Sequence, residues 1–136
     1  MQKAADQTYN SIKRSILPLL SVLLAIALFM SAIPKNFYNK IFTGNGFLDP
    51  LTGALFGSVA AGNPVNSYVI GGELLNQGIG LAAVTAFILS WVTVGVIQLP
   101  AEILMLGKKF ALLRNLFSFI SAIIIAILVA FILSFI

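Results

Sequence analysis

Between Leu51 and Leu75 the chain reads LTGALFGSVAAGNPVNSYVIGGELL, an apolar run long enough to enter a bilayer, interrupted by Gly62-Asn63-Pro64 and again by Gly71-Gly72-Glu73. Backbone freed at such breaks is costly in hydrocarbon unless it is buried in protein or lines a wet cavity. A segment that only anchored a protein would have no reason to carry them, so this stretch is expected to line a route.

Composition points to the same setting. Of 136 residues, 60% are hydrophobic and 9% charged, against roughly 25% charged in a soluble domain. The expected fold is an all-α, polytopic membrane protein with broken or re-entrant helices, about three to four membrane segments per chain, placed multi-pass in the cell membrane with lipid as a constant partner. The sequence has no Cys and no His, which removes thiolate and imidazole metal sites, Cys nucleophiles and Ser-His-Asp triads. No nucleophile with a base, metal cluster or phosphate loop is visible, so neither an enzyme nor a cofactor is expected. The net charge of +4 arises from eight basic and four acidic residues gathered at segment ends. There they set orientation rather than bind nucleic acid, which is not an expected partner.

A single transmembrane domain over 1–136 is expected, in five parts. Residues 1–14 are polar and carry Lys3, Asp6, Lys13 and Arg14. Residues 15–33 form a first span. A signal peptide is the rival for this stretch, but it is as long as a full span and Pro34-Lys35 make a poor cleavage context. Phe37, Tyr38, Phe42 and Phe47 in the polar connection suit an interfacial aromatic belt. Asp49-Pro50 then reads as a helix cap followed by a Pro at the first helical position.

Residues 50–77 read as a broken helix or a re-entrant hairpin. The first piece, about 13 residues, is near 20 Å long and too short to span alone. Its Gly53, Gly57 and Ala61 make a small-residue face for close helix packing. Residues 79–107 form a span with a break at Pro100, and 115–136 an uncharged span opened by Arg114. Ser118, Ala122, Ala126, Ala130 and Ser134 recur every fourth residue along it, a packing face either within the chain or between two copies. If 50–77 returns to the side it entered, Lys3, Lys13, Arg14, Lys108, Lys109 and Arg114 share one side and Lys35 and Lys40 the other. That split obeys the positive-inside rule with the N-terminus cytoplasmic; a crossing segment would leave the bias nearly neutral.

Candidate solute-binding residues cluster at the breaks: Asn63, Pro64, Asn66 and Ser67 at the first, Gln98 at the second. Freed backbone with amide and hydroxyl side chains can replace water around a polar solute without fixed charge; the structural alternative is that these groups satisfy one another across packed helices. Glu73 and Glu102 complete the set, because a carboxylate at membrane depth must be protonated, paired or facing water and marks an ion or proton route. Their structural alternative is a helix-end acid at the interface, as Glu102 would be just after Pro100. The two acids also share a short echo, Glu-aliphatic-Leu-x-x-Gly, at 73–78 and 102–107. Trp91 reads as packing.

Gly62-Asn63-Pro64-Val65-Asn66-Ser67, Gly71-Gly72-Glu73-Leu74-Leu75, Gly78, and the stretch from Ala86-Phe87-Ile88-Leu89-Ser90 to Pro100 resemble a family of predicted permeases that includes the organoarsenical efflux permeases. The resemblance runs from about Leu51 to the C-terminal end and implies a half-length member. Where the arsenical exporters carry a Cys after the Pro, this chain has Asn66 and Ser67, so thiol capture of arsenic is not carried over. The resemblance implies a permease-like transport protein for a small polar or ionic solute. One copy has too few spans to enclose a pathway, so a homodimer is expected. The alternative from another class is a non-transporting subunit or scaffold that docks on a larger complex through the Ser118–Ser134 ladder.

Overall fold

The computed structural model describes residues 40–60 and 62–135, with Gln7, Asn10, Lys13, Ile16, Leu20, Ser21, Leu24, Ala25, Ala27 and Leu28 ahead of them. The chain divides into two compact units, 1–33 and 34–136. In the first, the described positions are helical and exposed; the expected polar segment 1–14 and span 15–33 otherwise lie outside the described residues, as do Phe37 and Tyr38 of the aromatic belt.

The second unit is all-α among its described residues, with five helices. Helix α1 is Leu48–Val59 and α2 is Pro64–Asn76. They are followed by α3, Leu81–Thr93, α4, Leu99–Leu106, and α5, Lys108–Leu133.

Helix α1 begins one residue before the Asp49 expected to cap it. The Asn45 side chain accepts from Phe47 N–H at 3.0 Å. Asp49, buried in the first turn, reaches back to accept from the backbone N–H of Thr43 at 2.9 Å and of Gly44 at 2.8 Å. A carboxylate at this end also complements the helix dipole. Helix α2 starts at Pro64, where a missing N–H costs nothing, and closes with a Schellman turn: Gly78 takes φ +87°, Gly78 N–H donates to Leu75 O, and Ile79 N–H donates to Leu74 O. Leu74 and Ile79, the apolar pair that accompanies this turn, are both buried.

The second break lies earlier than Pro100 suggests. Helix α3 ends at Thr93, 94–98 form a turn, and Pro100 sits inside the first turn of α4. The physical reason is that the Pro ring excludes the carbonyl four residues back, so no helix can run from Val96 through Pro100, whereas one can start there. The last helix begins at Lys108, seven residues ahead of the expected span. The chain-breaking residue is Gly107, at φ +87°, and 108–114 contain neither Gly nor Pro to delay the start. With 26 residues, α5 is about 39 Å long. Its most apolar window has mean hydropathy 3.0, and among the described residues it is the one helix long and apolar enough to cross a membrane.

Glycine contacts fix the directions of the helices. A Cβ on Gly53 would lie 2.1 Å from the Ala83 carbonyl oxygen, and one on Gly57 would lie 2.2 Å from that of Phe87. Both numbers rise by four along each helix, so α1 and α3 run parallel, nearly backbone on backbone. A Cα hydrogen of each glycine points at a carbonyl, a contact worth about 0.5–1 kcal/mol. Helix α2 runs the other way along α3: a Cβ on Gly62 would sit 3.5 Å from Trp91, and one on Gly71 would meet Ile88 and Val84. Helices α1 and α2 are therefore an antiparallel hairpin.

Helix α5 runs antiparallel to α3 and α4, with Ala126 packed with Ala86 and Ala54, and Arg114 and Asn115 against Glu102. Small residues on all three helices make that crossing tight. The fourfold ladder on α5 is thus partly consumed inside the chain: Ala122 and Ala126 are buried, Ser118 and Ala130 half-buried. The remaining faces of α5 present Leu116, Phe117, Ile120, Ile124, Leu128 and Phe131 outward.

The backbone contact at Gly53 predicts that Gly53→Ala lowers stability by about 1–3 kcal/mol through overpacking. Gly72→Ala should raise it by about 0.5–1 kcal/mol, because Gly72 is helical and nothing lies within 4 Å of an added Cβ. The thermal midpoint of the helical circular-dichroism signal measures both; a Gly53→Ala protein as stable as the parent would contradict the close approach.

Candidate functional site

The two helix breaks meet at one level. The tip of the α1–α2 hairpin, Gly62, abuts Trp91, and Trp91 lies two residues before the end of α3. Leu89 and Thr93, which bracket Trp91, line a groove of about 560 Å³ that runs along α5 from Phe110 and Arg114 through Ser118 and Ser121 to Ile125, and Ala86, five residues before Trp91, packs with Ala126. The hairpin tip and the end of α3 therefore sit level with the middle of α5. No charged residue occurs from Pro50 to Gly72, from Leu74 to Ala101, or from Asn115 onward.

At the tip, Asn63 is the N-cap of α2, its side-chain oxygen accepting from Val65 N–H at 3.0 Å. Pro64 opens the helix beside it, and both are exposed. Ser67 is fully buried and donates to Pro64 O at 2.6 Å. Asn63 thus satisfies an N–H that the break frees, while Ser67 bonds back to a carbonyl of its own helix. Asn66 differs: it is half-buried, and its amide has no hydrogen-bond partner among the described residues. The amide nitrogen lies 3.3 Å from the point where a Gly62 Cβ would be, on the same gap that Trp91 Cζ2 borders at 3.5 Å.

Trp91 is the residue that sequence reading assigned to packing alone. It does pack, edge-on to Phe87 with ring centroids 5.4 Å apart. Its indole Nε1, however, is buried without a partner, as is the Ser90 hydroxyl one residue earlier. A buried indole N–H ordinarily finds an acceptor. The readable signal was a Trp inside an apolar helix, a donor that must be accommodated; what it stands beside depends on the fold.

The other candidates lie apart from the tip. Glu73 is nine residues beyond Pro64, about 14 Å down α2. It accepts from the Gln77 side chain at 2.9 Å near the helix end. Gln98 is exposed in the second break, its side chain folded over Gly95. Glu102 sits in the first turn of α4, ion-paired to Arg114 and accepting from the Asn115 amide at 2.9 Å. Those contacts clamp α4 to α5. The echo linking Glu73 and Glu102 has no structural counterpart, since one acid lies near the end of its helix and the other at the start.

The clamp predicts a coupling of about 1 kcal/mol between Glu102→Gln and Arg114→Met in a double-mutant cycle read by unfolding, the size expected of a partly exposed pair; zero coupling would leave α4 held by apolar contact alone. Comparison with protein-family models, with curated proteins and with solved structures finds no match.

Proposed function

We propose that the chain is a permease-like, multi-pass protein of the cell membrane that works as a homodimer and passes a small polar or ionic solute along the hairpin tip. The observation that carries this reading is the exposure of Gly62, Asn63, Pro64 and Val65 at the mid-length of α5. If α5 spans a bilayer, its middle lies near the centre of the hydrocarbon. Non-helical backbone is tolerated there only when covered by protein or facing water. A second copy across the tip supplies the cover, and the polar residues between the copies supply the route.

The antiparallel hairpin supports a re-entrant 50–77 segment, because α1 and α2 together reach about halfway along α5 and turn back. Lys108, Lys109 and Arg114 then lie at the end opposite Lys40, the asymmetry that places the more basic end in the cytoplasm. For the scaffold alternative part of the Ser118–Ser134 ladder is left, since Ala122 and Ala126 are buried within the chain while Ser118, Ala130 and Ser134 are half-buried or exposed.

In mild detergent the purified protein should run as a dimer by light scattering, and a stable monomer alone would contradict the assembly. In proteoliposomes screened against small anions, cations and metabolites, at least one solute should cross faster than through empty vesicles. Flux of none of them would overturn the transport reading.

A further inference from the structure

The groove along α5 is long, narrow and different at its two ends. Its lining on α5 runs from Phe110 to Ile125, about 22 Å along the helix axis. Ser118, Ser121 and Ala122 open it by being small, between the larger Phe117, Ile125 and Leu89. Spread over that length, the volume of about 560 Å³ gives a mean section of about 25 Å², room for one hydrocarbon chain and too little for a helix about 10 Å across. The Thr93 hydroxyl in its lining is already engaged, donating to Leu89 O at 2.7 Å.

Towards the start of α5 the groove meets positive charge. Arg114 lines it directly, and a smaller hollow lined by Lys108 and Lys109 shares Phe110 and Leu113 with it. Glu102 pairs with Arg114, whereas neither lysine has an acid partner among the described residues. From Asn115 onward no charged residue occurs. We propose that the groove holds one acyl chain of an anionic phospholipid, with the phosphate at Lys108, Lys109 and Arg114 and the tail running toward Ile125. The inference rests on α5 crossing a bilayer, as in the reading above, and not on transport.

Length and charge agree on the occupant. A bilayer with its headgroups is about 40–45 Å thick, so one leaflet measures about 20–22 Å, which is the length of the groove. Free phosphate would meet the same cations and leave the apolar length unused. A helix from a second copy could lie across so narrow a groove but not enter it. Net charge then selects among lipids. With Glu102 set against Arg114, the two lysines leave the groove mouth positive, and basic groups at the membrane surface favour an anionic lipid over a zwitterionic one.

Native mass spectrometry of the protein in mild detergent, titrated with phosphatidylglycerol and separately with phosphatidylcholine, reads bound lipid and assembly in one spectrum. Saturable binding of one phosphatidylglycerol per chain is expected, tighter than phosphatidylcholine by about tenfold or more. Lys108→Gln with Lys109→Gln, both at exposed positions, should remove that preference. Ser121→Trp, which fills the groove from an exposed position, should abolish saturable binding, and Ile124→Trp, exposed outside the groove, should leave it intact. Equal binding of the two lipids by the parent, or phosphatidylglycerol binding indifferent to the lysine and Ser121 changes, overturns the site. So does a Ser121→Trp protein that loses its partner copy and still binds lipid, since the groove is then covered by that copy. If the protein nevertheless stays in cell membranes through an alkaline carbonate wash, the bilayer reading stands without the site. Release by that wash overturns the bilayer reading and the site with it. Selective lipid binding without solute flux overturns transport alone.

Discussion

The close approach of α1 to α3 at Gly53 and Gly57 sets the geometry of the second unit. A glycine pair at four-residue spacing lets two backbones come together with only hydrogens between them, and each pair of contacts fixes both the distance and the register. Slide α1 by one turn and only one of the two glycines still faces a carbonyl of this pair. With the register held, Gly62 arrives beside Trp91. The antiparallel α3–α5 packing through Ala86 and Ala126 then carries that level to the middle of α5. The position of the hairpin tip is thus a consequence of packing between small residues far from any polar group.

Charge is distributed to match. The acids and bases of the second unit lie at helix ends or pair there: Asp49 holds the loop before α1, Glu73 bonds to its own helix end, and Glu102 joins α4 to Arg114 and Asn115. The middle contains amides, hydroxyls and an indole. Among them Asn63 and Ser67 are occupied by the helix start they stabilise. Asn66, Trp91 and the Ser90 hydroxyl beside it are left with spare hydrogen-bonding capacity among the described residues.

Much of this was legible in local sequence. Gly62-Asn63-Pro64 reads as a helix stop followed by a cap and a Pro start, and α2 begins there because short-range chemistry decides it. The small-residue stripe on α1 likewise announces a close contact. What local sequence does not specify is the partner. The contact of Gly53 with Ala83 and of Gly62 with Trp91 depends on long-range register, so Trp91 looked like one more apolar residue and Glu102 like a free helix-end acid. The start of α5 shows a second limit: Arg114 was expected to open the last helix, yet without a breaker after Gly107 the helix begins at Lys108. Pro100 marks the start of α4, as the helix-end place expected for Glu102 implies, but the turn ahead of it already begins at Val94.

The central claim is that the hairpin tip lies at the midplane of a bilayer, and depth-dependent quenching of Trp91 fluorescence tests it directly. Protein in vesicles containing lipids brominated at different acyl positions should be quenched most by the deepest bromines, placing the indole within about 5 Å of the centre of a roughly 30 Å core. Strongest quenching by bromines near the headgroups, or none at any depth, would contradict it.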